Sequence, residues 1–366
     1  MKIFIVCSRL SYGGAEHVAV MWANGFAIKG SNVSLVSNLN EDITFWANKS
    51  VRLLNIFRVG LRGIKKWLYA IKTLRELLKK EEPDVVISVM STCSIVAKIA
   101  SLRLGIPIIA TEHNSFERPT SAPFSLWEKI CKFLLNNLYD GVTVLTNADK
   151  AVIHSKFNSV VMPNPLALKP IETVTIRKKT TLAVGRLDAW HVKGFDVLIR
   201  AWGTLMKNEE FRMKNSWWRL QIAGTGSNES LRFLQQLCKE NGVEDSVEFL
   251  GFQEDMGSLY KNASVFVLSS RYEGFGLVLI EAMSQGCACV ACDYKGRQRE
   301  IIKNDSQGLC CEPDNVDMLA ESLHKMICDD NYRESVRKNA IERSKYYSIE
   351  NTINRWEEYL HSIVEK

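Results

Sequence analysis

The 366-residue sequence has no long hydrophobic run. Its longest markedly apolar stretch without a formal charge, Val85 to Ala97, covers 13 residues and contains Ser and Thr. About 20 are needed to cross a bilayer, so no transmembrane helix is expected. The N-terminus also lacks an extended apolar signal region. One Lys precedes the short run Ile3 to Cys7, which reads as a first β-strand rather than an export signal. There is no repeat of short period and no low-complexity segment. A composition of 46% hydrophobic and 24% charged residues excludes long disorder, collagen and coiled coil.

The dinucleotide fingerprint G-x-G-x-x-G is missing too. Where the first strand ends, the two glycines of Ser11-Tyr-Gly-Gly-Ala-Glu16 are adjacent, which ranks a dehydrogenase low. Ten cysteines are present, but Cys287, Cys289 and Cys292, followed by Cys310 and Cys311, offer no second C-x2-C or His pair of the kind structural zinc requires. They read as small, reduced, buried thiols, and a reducing cytoplasm is the consistent compartment.

The length exceeds what a single core usually fills, so two domains are expected. Charge divides unevenly between them. Residues 1–170 hold 21 Lys+Arg and 12 Asp+Glu, net +9; the remainder holds 26 and 29, net −3. The densest basic run is Arg58 to Lys80, with eight basic residues against Glu76. Within it Ile64, Trp67, Leu68, Ile71, Leu74 and Leu78 form one helical stripe. Two readings stand side by side: attachment to an anionic inner membrane face, or a crossover helix that buries its stripe on a sheet and shows its lysines to water. Nucleic acid is not expected as a partner, because no recognised binding signature accompanies the charge.

Val- and Ile-rich apolar runs alternate with helical stretches. In the first half they are Ile3–Cys7, Val33–Ser37, Val51–Ile56, Asp84–Val89, Ile106–Ala110 and Gly141–Leu145. Two prolines, Pro163 and Pro165, then forbid further helix or central strand. A polar stretch runs on to Thr180, and the pattern restarts with Thr181–Val184, Trp218–Ala223, Val247–Leu250, Ser264–Leu268, Cys287–Ala291 and Gly308–Cys311. Continuous apolar runs of this kind are buried parallel strands, so both halves are read as α/β, doubly wound domains. The expected division is 1–168, 169–346 and a final amphipathic helix in 347–366. That helix has Ser348 as N-cap and an apolar face of Ile349, Ile353, Trp356, Leu360, Ile363 and Val364.

Ligands bind such folds at the carboxyl ends of the strands. Four strand-end loops carry suitable residues. Gly13 and Gly14 lead into a helix, as an anion site or simply a tight turn. His113, in Thr111-Glu-His-Asn114, can exchange a proton near neutral pH or merely pack. Arg186 and Lys193, in Val184-Gly-Arg-Leu-Asp-Ala-Trp-His-Val-Lys-Gly194, suit a diphosphate or are solvated cations; Gly224 and Gly226 repeat the glycine-rich strand end. Sharpest is Glu273-Gly-Phe-Gly-Leu-Val-Leu-Ile-Glu281. Its expected helix begins near Gly276, where free N–H groups can bind phosphate. Glu281 then lies about 7.5 Å further along, the reach from a diphosphate to its ribose.

These segments, together with Met162-Pro163-Asn164-Pro165, resemble glycosyltransferase family 4, a large family of retaining GT-B enzymes that includes bacterial polysaccharide and lipopolysaccharide enzymes. Glu273 and Glu281, separated by seven residues, match that family's E-x7-E hallmark. The family usually continues with G-x-P-E-I-I; here Gly296-Arg-Gln-Arg-Glu-Ile-Ile302 has one extra residue and no proline. The resemblance implies a GT-B fold of two Rossmann-like domains facing across a cleft, with the final helix crossing back to the first domain. It implies a hexosyltransferase that takes its sugar from a nucleotide-sugar donor, most naturally a UDP-sugar, and passes it with retention to a lipid-linked or oligosaccharide acceptor. Arg186 and Lys193 would neutralise the diphosphate, Glu281 would bind the ribose, and Glu273 would contact the sugar with the backbone of Phe275, Gly276 and Leu277. His113 would face the sugar and Gly14 the phosphate. No cofactor and no metal are expected, and no D-x-D is present. The alternatives are a GT-B epimerase, a phosphorylase, or a non-catalytic nucleotide- or glycan-binding protein.

Overall fold

A computed structural model of the chain describes residues 1–11, 13–120, 123–153, 158–173 and 177–365. Tyr12 of the first glycine loop, residues 174–176 of the polar connecting stretch and the terminal Lys366 lie outside them. The chain divides into two compact units, Met1–Pro165 with Tyr347–Lys366, and Leu166–Tyr346.

In the first unit strands and helices alternate: β1 (Lys2–Val6), α1 (Gly14–Ile28), β2 (Asn32–Ser37), β3 (Arg52–Asn55), α2 (Gly63–Glu81), β4 (Val85–Val89), α3 (Met90–Ala100), β5 (Ile108–Thr111), α4 (Leu126–Lys129), β6 (Gly141–Val144), α5 (Asn147–Val152) and β7 (Ser159–Val161). All neighbouring strands are parallel, in the order β3-β2-β1-β4-β5-β6-β7. The inner strands β1 and β4 are mostly apolar and buried, as in a sheet covered on both faces. Only β7, a short edge strand just ahead of Pro163, is absent from the sequence expectation. It is edge-placed and partly exposed, and three residues carry too little pattern to stand out.

The second unit repeats the plan with β8 (Lys178–Val184), α6 (Trp190–Lys193), α7 (Phe195–Lys207), α8 (Glu209–Asn215), β9 (Arg219–Ala223), α9 (Asn228–Asn241), β10 (Val247–Gly251), α10 (Met256–Asn262), β11 (Ala263–Leu268), α11 (Leu277–Ser284), β12 (Ala288–Cys292), β13 (Leu309–Cys311), α12 (Val316–Cys328) and α13 (Asp330–Ser344). Its six strands are parallel in the order β10-β9-β8-β11-β12-β13. The order reverses between β8 and β11, so the loops leaving these two neighbours diverge and open a crevice at their carboxyl ends.

The final helix α14 (Ile349–Val364) packs on α1 of the first unit. Ser348 Oγ accepts from Asn351 N at 3.2 Å, the expected cap. Trp356 and Trp22 meet edge-on at 4.9 Å, and a Cβ on Gly25 would lie 2.6 Å from Ile353, so the small residue permits the close approach.

The stripe read on α2 divides. Leu74 and Leu78 are buried with Ala70, and Trp67 and Ile71 pack partly against them. Ile64 is 75% and Leu68 59% exposed. At about 100° per residue, Leu68 lies roughly 120° round the helix from Leu74, at the margin of the face the sheet covers. The cysteines are all free; eight are buried, Cys310 is partly covered and Cys328 is exposed.

Candidate active site

The loop leaving β8 is shaped by close backbone approach. Gly224, at φ +142°, closes on Gly185: a Cβ there would sit 1.9 Å from the Gly185 carbonyl oxygen. Gly194, at φ +63°, would place a Cβ 1.9 Å from the carbonyl oxygen of Ser269, at the end of β11. Only glycine fits either position. The two loops are also tied by side chains. Arg271 forks onto Asp196 with bonds of 2.7 and 2.8 Å, and Ser269 Oγ donates to Lys193 O at 2.8 Å. Burial acts against the Asp196 carboxylate, yet the Arg271 guanidinium holds it below the usual range.

This clamp brings Lys193 and Glu273 together. Lys193 Nζ lies 2.6 Å from Glu273 Oε1, which also accepts from Ser270 Oγ at 2.8 Å. The Lys193 stem crosses over Gly185, while the neighbouring Arg186 is exposed. Asp188 fastens the same loop to the start of α9, accepting from Ser227 N at 2.8 Å and from the hydroxyls of Ser227 and Ser230. Those bonds hold its carboxyl low.

Phe275 is buried, Gly276 takes φ +94° as N-cap, and Leu277 opens α11. No side chain caps this helix. Its first N–H groups, which have no partner within the helix, face the loop that carries Glu273. Glu281, five residues along, is half-buried and accepts from Tyr260 Oη at 3.1 Å. Burial pushes its carboxyl up to about 7, with Tyr260 pulling the other way. The Arg271–Asp196 clamp and Tyr260 are the residues sequence reasoning missed. Both act through other site residues, and neither stands in a motif.

In the first unit Gly14 is exposed at the start of α1, behind the N-cap Gly13. Glu16 folds back over Gly13 and pairs with Arg9 at 3.3 Å. His113 follows β5, its Nε2 3.1 Å from Thr111 Oγ1 and its ring 5.5 Å from Trp22. Burial lowers its imidazole to about 4. Beside it lies a pair the sequence did not announce. Glu112 and Lys132, 3% and 4% exposed, meet at 2.8 Å, with Lys132 on a π-helical turn, Ile130–Leu134.

The variant loop after β12 is ordered by its own contacts. Asp293 Oδ1 accepts from Gln298 N and Arg299 N, and Gly296 at φ +83° has open space around its Cβ position. Among the described residues, no three His, Cys, Asp or Glu side chains are placed to hold a metal.

Two family models match nearly end to end: Glycosyltransferase Family 4 over residues 12–169, and Glycosyl transferases group 1 over 169–343. The chain belongs to the GT-B glycosyltransferases of family 4. This glycosyltransferase is 29% identical to an uncharacterised glycosyltransferase of Haemophilus influenzae, over 96% of this chain and 98% of that one. It is 28% identical, with 97% of each chain covered, to a Campylobacter jejuni α-1,4-N-acetyl-D-galactosaminyltransferase, whose name describes an undecaprenol diphosphate-linked glycan as acceptor. It superposes on Anabaena HepE in complex with UDP with a TM-score of 0.77 at 18% identity, covering 99% of this chain and 100% of that one. The two parallel α/β sheets are those of GT-B glycosyltransferases.

Proposed function

We propose that this glycosyltransferase moves a hexose-type sugar, with retained anomeric configuration, from a UDP-sugar to a lipid-linked glycan or surface polysaccharide precursor. The observation that carries the reading is the Lys193–Glu273 pair at the β8/β11 crevice, beside the uncapped start of α11 and one turn and more before Glu281. A diphosphate fits between cation and helix N-terminus. Arg186 and Lys193 neutralise it, Gly224 and Gly276 keep the backbone close, and Glu281 takes the ribose hydroxyls. Glu273, with the backbone of Phe275 and Leu277, takes the sugar. By the family resemblance, Gly14 is assigned to the phosphate and His113 to the sugar.

In the proposed step the bond between C1 and the leaving phosphate oxygen breaks. The acceptor oxygen bonds to C1 on the same face, and its proton passes to the departing phosphate. The cations, rather than a divalent ion, stabilise that departure. The reading is supported by the Campylobacter relative's named acceptor and by the UDP complex of HepE. It is tested by UDP-sugar turnover on polyprenol diphosphate-linked glycans. Lys193→Ala should lower kcat/KM by about 10² or more, and EDTA should leave wild-type turnover unchanged. Turnover abolished by EDTA and restored by manganese would overturn the metal-free reading.

A further inference from the structure

We propose that Tyr260 is a positioning residue for donor binding, its hydroxyl orienting the Glu281 carboxylate toward the ribose. The inference deepens the reading above and rests on its assignment of Glu281 to the ribose.

Tyr260 stands 21 residues before Glu281, near the end of α10, and its side chain is fully buried. Its ring meets Phe266 of β11 edge-on at 5.8 Å. Its carbonyl oxygen accepts from Arg177 Nη1 at 2.8 Å and from Cys287 Sγ at 3.1 Å. Ring and backbone are therefore both fixed, and the hydroxyl has a set place. It donates to Glu281 Oε2 at 3.1 Å. That bond fixes one carboxylate oxygen and so orients the group. A ribose with paired hydroxyls needs an acceptor held in this way, because a carboxylate free to rotate loses the bidentate geometry.

The same bond sets the charge. Burial pushes the Glu281 carboxyl up to about 7, and Tyr260 is the contact that opposes it. The other titratable groups around the pair are two thiols and two guanidiniums. Cys287 and Cys289, just before and within β12, are driven up by burial and stay neutral thiols. The Arg177 guanidinium is directed at the carbonyls of Tyr260 and Ala263, and Arg337 of α13 at Gly286 O. Removing the tyrosine hydroxyl therefore takes away a donor that favours the ionised carboxylate. The ribose acceptor should then be lost at a higher pH.

The test is UDP binding to the full chain by calorimetry from pH 5.5 to 8.5, for wild type, Tyr260→Phe and Glu281→Gln. Each is read as the ratio to 2′,3′-dideoxy-UDP, so that titration of the nucleotide's own phosphate, near 6, cancels. Wild type should prefer UDP, and that preference should fade as pH drops through the carboxyl's titration. Tyr260→Phe should weaken UDP about tenfold at pH 7, the size of a hydrogen bond to a charged group. It should also move the acid limb to higher pH, with kcat at saturating donor within about twofold of wild type. Glu281→Gln should abolish the limb. A Tyr260→Phe protein with reduced thermal stability but an unmoved limb would assign Tyr260 to packing alone and overturn the inference. If Glu281→Gln keeps the wild-type preference for UDP, the ribose assignment itself fails.

Discussion

Lys193 Nζ and Glu273 Oε1 are 2.6 Å apart, and the two residues come from loops that leave different strands, 80 positions apart in sequence. Before donor arrives, the cation proposed for the diphosphate is neutralised by the carboxylate proposed for the sugar. Binding must redirect the ammonium from one anion to another.

Glu273→Gln should therefore separate binding from turnover. Without the competing carboxylate, Lys193 is free for phosphate, and UDP should bind as tightly as to wild type or more tightly. Turnover should fall by about 10² or more, because the sugar loses its acceptor in the transition state. Lys193→Ala should weaken UDP binding and turnover together. Calorimetry with UDP and steady-state rates on the same preparations distinguish the two patterns.

Glu281 carries a stability cost that depends on pH. Its carboxyl titrates at about 7 when folded, against an ordinary value of 4.5. Above 4.5 the folded state therefore holds the proton more tightly than the unfolded state, and stability falls as pH rises from 4.5 to about 7. Glu281→Gln should remove this dependence. Urea unfolding should find the variant more stable than wild type by ~3 kcal/mol at pH 8 and equal to it at pH 4. A site residue that destabilises the free protein is a common trade of stability for function.

The exposed side of α2 gives a membrane prediction. Val59 is 76%, Ile64 75% and Leu68 59% exposed, among the exposed Arg58, Arg62, Lys65 and Lys72. We propose that this patch meets the anionic membrane face on which a lipid-linked acceptor is displayed. Among the described residues no helix is long and apolar enough to cross a membrane. Flotation with vesicles containing anionic lipid should be strong at low salt and weak at about 1 M salt, where the Debye length is about 3 Å. Ile64→Asp with Leu68→Asp should abolish it while leaving turnover on a water-soluble acceptor analogue intact. No flotation at low salt would leave α2 as a crossover helix alone.

Much of the fold is legible in the chain because it is written locally. Ile3–Cys7 and Val265–Leu268 are unbroken apolar runs, as buried parallel strands read. Ser348 caps a helix whose 3.6-residue stripe is visible without any partner. Gly276 and Glu281 are close enough in sequence for helix geometry alone to set their spacing. The α2 stripe is the instructive miss. Spacing shows which residues could share a face, but packing decides which of them are covered, and so Leu74 is buried while Leu68 is exposed.

Local sequence therefore dictates the alternation of strands and helices, the place where the pattern restarts, and the residue types at each strand end. All of these depend on neighbours within a few positions. It takes long-range packing for Lys193 to meet Glu273, Arg271 to clamp Asp196, Tyr260 to reach Glu281 and burial to lower the His113 imidazole. Each of these depends on which strands lie side by side and how much water is excluded between them. Contact distance and desolvation are properties of the folded chain, and no local pattern encodes them.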